Sequence, residues 1–378
     1  MKSLASSLPK SDKETLTRRF KKVQEALGTD AVLIEHPVDL FYLTGLSLSS
    51  GSLLIFKKEA YLFVDGRYFQ EAKEKSLIKV ALMSSSFFDV CLKQKNIKTI
   101  GFDSKETSYE RFLQLRSFLK TFAGQGSPLP KLVPTSNLLK EIRSIKDRDE
   151  LDVLRQSAAL AWKGFLHIKK ILKIGITERE VARSFELFCL KNGAQKLSFE
   201  PIIAFGENSA KPHHRSSDRI LKKGDIVLID IGVMYNCYAS DMTRVLLPST
   251  AKANLLELFE VVEESKRAAL EHCRPGIAIG KLDEIARCVM KKKGLEELFV
   301  HSLGHGIGLQ THEFPRLSSK GQDKDVILKV GMVITVEPGL YLPGVGGVRL
   351  EDTVIITRTG FENLYPSDIG MKTRLALK

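Results

Sequence analysis

Two stretches of this chain repeat one pattern, and each closes on an acidic residue. LKKGDIVLIDIG (residues 221–232) and LKVGMVITVEPG (residues 328–339) share Leu-Lys-x-Gly, then five residues, an acid (Asp230 or Glu337), and a Gly two positions on. Each reads as a Gly-led turn into a buried, β-branched strand whose last residue is acidic. A lone buried carboxylate is costly, so an acid ending each of two such strands calls for something positive between them. A second acid follows each copy, Asp241 in SDMTR and Glu351 in GVRLED. Pseudo-symmetry then brings four carboxylates to one place, and the expectation is a metal site.

The repeat extends towards the N-terminus. GITEREVARSFELFCLKNG (residues 175–193) and GIAIGKLDEIARCVMKKKG (residues 276–294) both run from Gly-Ile through a helical pattern containing Ala-Arg to a closing Gly. Thr177 and Glu180 stand in capping-box spacing, and the closing glycines suit helix C-termini. Short Gly-bounded helices often look alike, so the strand pair with its matching acid offsets carries the argument. Helix then strand, twice over, predicts two related halves in one domain, with the active site on their pseudo-twofold axis.

HSLGHGIGLQTHEFP (residues 301–315) places three of the eight histidines at intervals of four and seven among glycines. The glycines argue against a regular helix, and there is no HExxH. A Gly-rich turn lets an imidazole approach a ligand closely, which makes His305 the candidate nitrogen donor. Four carboxylates and one imidazole suit Mn²⁺, with Co²⁺ or Zn²⁺ as alternatives. Five ligands are too many for one open catalytic site. They are enough for two divalent ions about 3.5–4 Å apart with bridging carboxylates, an arrangement that generates hydroxide and clamps a tetrahedral intermediate.

At 378 residues the chain should form two domains. Up to about residue 140, AVLIEH, LLIFKKEAYLFVDGR and KTIGFD read as strands, with a hairpin turn at residues 57–59. Helices are expected after Gly66 and Thr107. FAGQGSPLP (residues 122–130) reads as a loop, but strand-like KLVPT follows, so the boundary falls later, between residues 1–142 and 143–378. The second domain opens on a helix from Ser144, with Asp147 in capping-box spacing, carrying LDVLRQSAALAWKGFLHIKKIL.

Several function classes are disfavoured. The 43% hydrophobic content is ordinary for a globular protein, and no apolar run approaches the ~18 residues of a membrane span. MKSLASSLPKSDKE has no signal-like apolar segment. Five scattered cysteines (Cys91, Cys189, Cys237, Cys273, Cys288) argue for a reducing, cytoplasmic compartment, with most serving as small core residues. The net charge of +13 is dispersed. Its longest run, residues 291–293, precedes Gly294 at an expected helix C-terminus, where lysines complement the dipole, so no nucleic-acid partner is expected.

PHHRSSDRILKKGDIVLIDIG, YASDMTR, HSLGHGIGLQTHE, TVEPGLY and GVRLED together resemble the M24 metallopeptidases of pita-bread fold, in particular the Xaa-Pro aminopeptidase and prolidase branch. HPVDLFYLTG and VDGRYFQEA resemble that branch's creatinase-type N-terminal domain, so the likeness spans almost the whole chain. It implies an α/β creatinase-like N-terminal domain followed by an α+β pita-bread catalytic domain with an internal pseudo-twofold duplication.

Carried over residue by residue, the resemblance makes Asp230 the chelating ligand of one metal and Asp241 a bridge between two. His305 and Glu337 match ligands of the other metal, and Glu351 matches the second bridge. Glu337 also matches the residue that moves a proton from the bridging water to the leaving amine. His312 matches a histidine that steadies the tetrahedral intermediate. His213 matches one that contacts substrate near the scissile bond, with neighbouring His214 left open for that part. His301 and Arg349 resemble supporting residues, Arg349 through a bidentate carboxylate contact. Val245 and Leu246 depart from the family's Thr and aromatic after SDMTR, a change expected to alter packing and not metal binding.

The activity so implied is dinuclear metal-dependent hydrolysis of the bond between an N-terminal residue and a following proline, by an Xaa-Pro aminopeptidase. An Xaa-Pro dipeptidase (prolidase) is the alternative. A methionine aminopeptidase fits poorly with the added N-terminal domain, and a metal-free or creatinase-like protein on the same scaffold fits poorly with five intact ligands. Short peptides with proline second are the implied substrates, and a homodimer the implied assembly.

Overall fold

Near-continuous apolar runs build the first unit. AVLI (Ala31–Ile34), SLLIF (Ser52–Phe56) and AYLFV (Ala60–Val64) are buried at every residue, as strands covered on both faces are. In this computed structural model, which describes residues 13–84, 96–123, 129–135, 138–366 and 374–375, they form the centre of a six-stranded mixed sheet. Ser52–Phe56 pairs antiparallel with Ala31–Ile34 and with Ala60–Val64, the latter across the expected hairpin. Thr99–Phe102, Lys131–Pro134 and Lys79–Leu82 complete the sheet through parallel pairings. Helices Gly66–Lys75 and Tyr109–Ala123 follow Gly66 and Thr107 as expected. Pro37–Thr44, inside HPVDLFYLTG, is a further helix, with Pro at its first position and Gly45 closing it at φ 70°.

Chain contacts divide the protein into two compact units between Arg143 and Ser144. The second unit opens differently from the expected helix start at Ser144, which instead ends the short helix Leu138–Ser144. Asp147 is the N-cap of the long helix Arg148–Ile171, closing a reciprocal capping box with Glu150. Cys91, residues 124–128 of the FAGQGSPLP loop, and the MKSLASSLPKSDKE segment up to residue 12 lie outside the described residues. Of the four described cysteines, Cys189 and Cys273 are core residues, whereas Cys237 is half-buried and Cys288 exposed. No helix among the described residues is long and apolar enough to cross a membrane.

The duplication expected from sequence is present in detail. Each half runs helix, helix, then three antiparallel strands. The first comprises Arg148–Ile171, Glu178–Lys191, Ile202–Phe205, Val227–Ile231 and Met242–Pro248. The second comprises Ala253–Glu271, Ile279–Lys292, Gly304–Gly306, Val333–Val336 and Asp352–Ile356. Gly175 and Gly276 take φ 87° and 90°, and Gly224 and Gly331 take φ 89° and 88°, where a side chain would be strained. Gly175 N donates to Leu221 O and Gly276 N to Leu328 O, both at 3.0 Å, so the two turns are copies down to the hydrogen bond. Val245 and Leu246 are buried in separate cores, the first with Leu340 and Val348, the second with Phe165 and Phe205.

Candidate metal centre

The paired strands deliver the acids. Asp230 is the penultimate residue of Val227–Ile231 and Glu337 lies one residue beyond Val333–Val336, so each sits at a strand end but neither is its last residue. Asp241 and Glu351 each immediately precede the next strand of their half. The halves are sewn together there: Thr353 Oγ1 donates to Asp241 O at 2.9 Å and Glu351 N to Thr243 O at 3.1 Å.

His305 breaks the symmetry. It lies on a short strand, Gly304–Gly306, and not on the Gly-rich turn its sequence suggested. Gly306 faces Ile334, as Phe205 faces Val227 in the first half, so His305 stands where the first half has Ala204. Three strands crowd this point. A Cβ on Gly304 would meet Thr335 O at 2.1 Å, and one on Gly306 would meet Phe314 O at 2.3 Å. His305 Nδ1 lies 3.0 Å from Gly306 O, which can only accept, so Nδ1 carries the proton and the Nε2 lone pair is free. Nε2 stands 3.6 Å from Asp241 Oδ2 and 3.5 Å from Glu337 Oε1.

Ligating atoms of Asp241, His305 and Glu351 lie within 4.8 Å of one another. Asp230, Glu337 and these three residues line one open cavity of about 630 Å³, together with His213, His301, His312 and Arg349. Burial, and then neighbouring carboxylates, push Asp241 and Glu337 well above the usual range, and Glu351 to about 8. Burial drives His305 down to about 3, so its imidazole is neutral. Asp230 Oδ1 is buried with no hydrogen-bond partner among the described residues. An excess of buried negative charge, an open carboxylate oxygen and a free imidazole lone pair fit divalent cations.

Residues around the acids are ordered by hydrogen bonds. Arg349 donates through Nη2 to Asp230 Oδ2, through Nε to Thr243 Oγ1 at 3.2 Å, and through Nη1 to the Tyr341 hydroxyl at 2.7 Å and Pro212 O at 3.3 Å. Its contact with Asp230 therefore uses one nitrogen, not the bidentate fork expected. Thr243 Oγ1 donates to Glu351 Oε2 at 2.7 Å. Tyr341 Oη also lies 2.8 Å from His301 Nε2. Burial lowers His301 to about 4 and raises Tyr341 to about 12, leaving both neutral. Tyr341 and Thr243 were not picked out from the sequence, although Tyr341 stands inside TVEPGLY and Thr243 inside SDMTR. His312 is stacked at a tilt on His305, with ring centroids 4.2 Å apart. His214 points its Nε2 at Glu178 Oε2, 2.8 Å away, while His213 is exposed on the cavity.

Four carboxylates and an imidazole gathered in one cavity define the centre of a metalloenzyme. Residues 152–358 match Metallopeptidase family M24 and residues 17–145 match the Creatinase/Prolidase N-terminal domain. The chain belongs to the M24 metallopeptidases, a family of dinuclear metal enzymes, and has its pita-bread fold following a creatinase-type domain along the sequence. It is 37% identical over 357 residues to the Xaa-Pro dipeptidase of Pyrococcus furiosus, covering 94% of this chain and 99% of that one. Among solved structures, the Xaa-Pro dipeptidase from Bacillus anthracis matches with TM-score 0.86 at 30% identity, covering 94% and 99% of the two chains. The X-Pro aminopeptidase from Thermotoga maritima matches with TM-score 0.82, also at 30% identity, covering 92% and 98%. Both dipeptidases and an aminopeptidase thus share the backbone, and fold alone does not separate them.

Proposed function

We propose that the protein is an Xaa-Pro dipeptidase, a reading that displaces the aminopeptidase favoured by the sequence motifs. The full-length likeness to the Pyrococcus furiosus Xaa-Pro dipeptidase carries it. The cavity adds support. A dipeptide brings a free carboxylate close to the scissile bond, and the exposed Arg215 and Arg316 side chains line the cavity with no hydrogen bond or ion pair among the described residues.

Asp230, Asp241, His305, Glu337 and Glu351 are the residues proposed to hold two divalent ions, Mn²⁺ by the hardness of the donor set. Such ions supply Lewis acidity, lowering the pKa of water and polarising a carbonyl oxygen. The bond to proline poses a particular demand, because its nitrogen carries no hydrogen and must gain a proton to leave as the free amine. Glu337, buried among carboxylates that favour its protonated form, suits that transfer. His312 suits hydrogen bonding to the tetrahedral oxygen, and of the two neighbouring histidines that line the cavity, the exposed His213 suits contact with substrate because His214 is held by Glu178. Arg349, Tyr341 and His301 orient the set from behind. The four free thiols among the described residues agree with a cytoplasmic protein. A homodimer rests on the family resemblance alone.

The test is metal-stripped protein with added Mn²⁺, offered an Xaa-Pro dipeptide, its C-terminal amide, and a tripeptide with proline second. Cleavage of the free dipeptide far above the other two is expected. Preferential tripeptide cleavage restores the aminopeptidase, and silence on all three removes the peptidase reading.

A further inference from the structure

Glu178 opens the helix Glu178–Lys191 and is fully buried. Its two oxygens accept five hydrogen bonds, all from the segment that runs along the cavity wall. Oε1 accepts from Phe205 N at 2.8 Å and Asn208 Nδ2 at 2.9 Å. Oε2 lies 2.8 Å from His214 Nε2 and accepts from Ser217 N at 2.9 Å and Ser217 Oγ at 2.6 Å. Burial alone would raise this carboxyl, but the bonds from Ser217, Asn208, His214 and Phe205 outweigh it and hold the group below the usual range.

The same segment is tied on its other side to the metal centre. Arg349 Nη1 donates to Pro212 O at 3.3 Å, and Gly347 N donates to Ser209 Oγ at 2.8 Å. Between the anchors exposure alternates: His213 and Arg215 are exposed, and His214 and Ser216 are partly buried. Both histidines line the cavity, and the Glu178 contact on His214 constrains the adjoining backbone that carries the exposed His213.

We propose that Glu178 is a positioning residue for the peptidase reaction, holding the 205–217 segment so that the His213 imidazole meets the substrate. The proposal rests on the reading of His213 as a substrate contact. Neutralising Glu178 turns an acceptor oxygen into an amide NH₂ facing backbone and side-chain donors, so the segment must shift. A displacement of about an ångström at a reacting centre costs up to about a hundredfold in rate.

A double-mutant cycle tests this on Mn²⁺-loaded protein with an Xaa-Pro dipeptide, using Glu178→Gln, His213→Ala and the pair, with bound metal measured for each. The expected result is a loss in kcat/KM of about tenfold to a hundredfold for Glu178→Gln at unchanged metal content. That loss should shrink to about twofold or less in the His213→Ala background, since coupled residues are not additive. An equal loss in both backgrounds, or none in either, overturns the proposal. If His213→Ala alone leaves kcat/KM unchanged, the substrate-contact reading fails and the proposal with it. Should Glu178→Gln fail to fold, Ser217→Ala replaces it in the cycle, and a smaller loss that again vanishes without His213 is expected; a loss independent of His213 counts against the proposal.

Discussion

Arg349 and Asp230, 119 positions apart in the chain, form a buried ion pair that spans the two halves of the catalytic unit, with Nη2 2.5 Å from Oδ2. The pair offsets part of the charge of the four acids and leaves Asp230 Oδ1 without a hydrogen-bond partner among the described residues, open to a cation. The guanidinium also reaches Thr243, Tyr341 and Pro212, a spread of donors that a lysine ammonium cannot reproduce. Arg349→Lys should therefore keep the charge but weaken metal binding or activity by about tenfold to a hundredfold. Metal titration by calorimetry checks it, and wild-type affinity and rate together would count against an orienting role for Arg349.

Removing the metals should give the protein an inverted pH response. In the metal-free centre Glu351 is raised from 4.5 to about 8, and Asp241 and Glu337 are raised as well, burial first and mutual repulsion next. The folded form then binds more protons than the unfolded form between those values. The stability that Glu351 contributes is full below about pH 4.5 and is lost as pH rises through about 8, and Asp241 and Glu337 act in the same direction. Calorimetry of chelated protein should show this centre's contribution to Tm falling from pH 5 to 8, as the difference from a Glu351→Gln variant. Added Mn²⁺ should reverse the trend by about 4 kcal/mol at a thousandfold excess over Kd. A difference between the two proteins that stays flat across that range would contradict the shared-charge account.

How much of this was legible in the sequence depended on whether a residue acts through its own neighbours or through distant ones. Asp230, Asp241, Glu337 and Glu351 were readable because turn, strand and acid recur at fixed local offsets, and Gly224 and Gly331 impose the same positive φ on both copies. The hairpin at residues 57–59 was readable for the same local reason. Glu178 gave no such signal. On a helix its position looks like an ordinary N-terminal acid, and only the fold brings Ser217 and His214 onto it. The Gly-rich histidine segment concealed a strand because its glycines serve interstrand approach, at Gly304 and Gly306, and not a turn. Ser144 resembled an N-cap, but Asp147 and Glu150 form the reciprocal pair that closes the box.

Tyr341 should matter through its hydroxyl alone. His301 Nδ1 lies 2.9 Å from Ser302 O and must donate there, so its Nε2 accepts from Tyr341, whose oxygen in turn accepts from Arg349. Tyr341→Phe breaks this chain without a change in packing and should lower kcat by about tenfold at unchanged metal content. Gly339 supplies a second route to the same effect, since a Cβ there would stand 2.5 Å from the Tyr341 hydroxyl and 2.9 Å from the ring carbon that bears it, displacing both. Gly339→Ala should reproduce the kinetic defect, and combining it with Tyr341→Phe should add little in steady-state assays. Full additivity would separate the two effects and refute the shared hydroxyl.

Thr243 holds the other end of the Arg349 network, and its chemistry fixes what each substitution should do. Fully buried, its single hydroxyl hydrogen goes to Glu351 Oε2 while its oxygen accepts from Arg349 Nε. Thr243→Val keeps the shape and strands both partners, which costs about 1–3 kcal/mol for each buried group left unsatisfied. Metal binding should relieve part of that cost, because a cation takes over the lone pairs that Thr243 no longer serves on Glu351. The apo form should thus lose more stability than the metal-loaded form, a difference that chemical denaturation in chelator and in Mn²⁺ measures directly. Thr243→Ser keeps both hydrogen bonds and should stay close to wild type in each state. Equal destabilisation of apo and loaded protein by Thr243→Val would mean that the hydroxyl serves packing around Arg349 and not the ligand carboxylate.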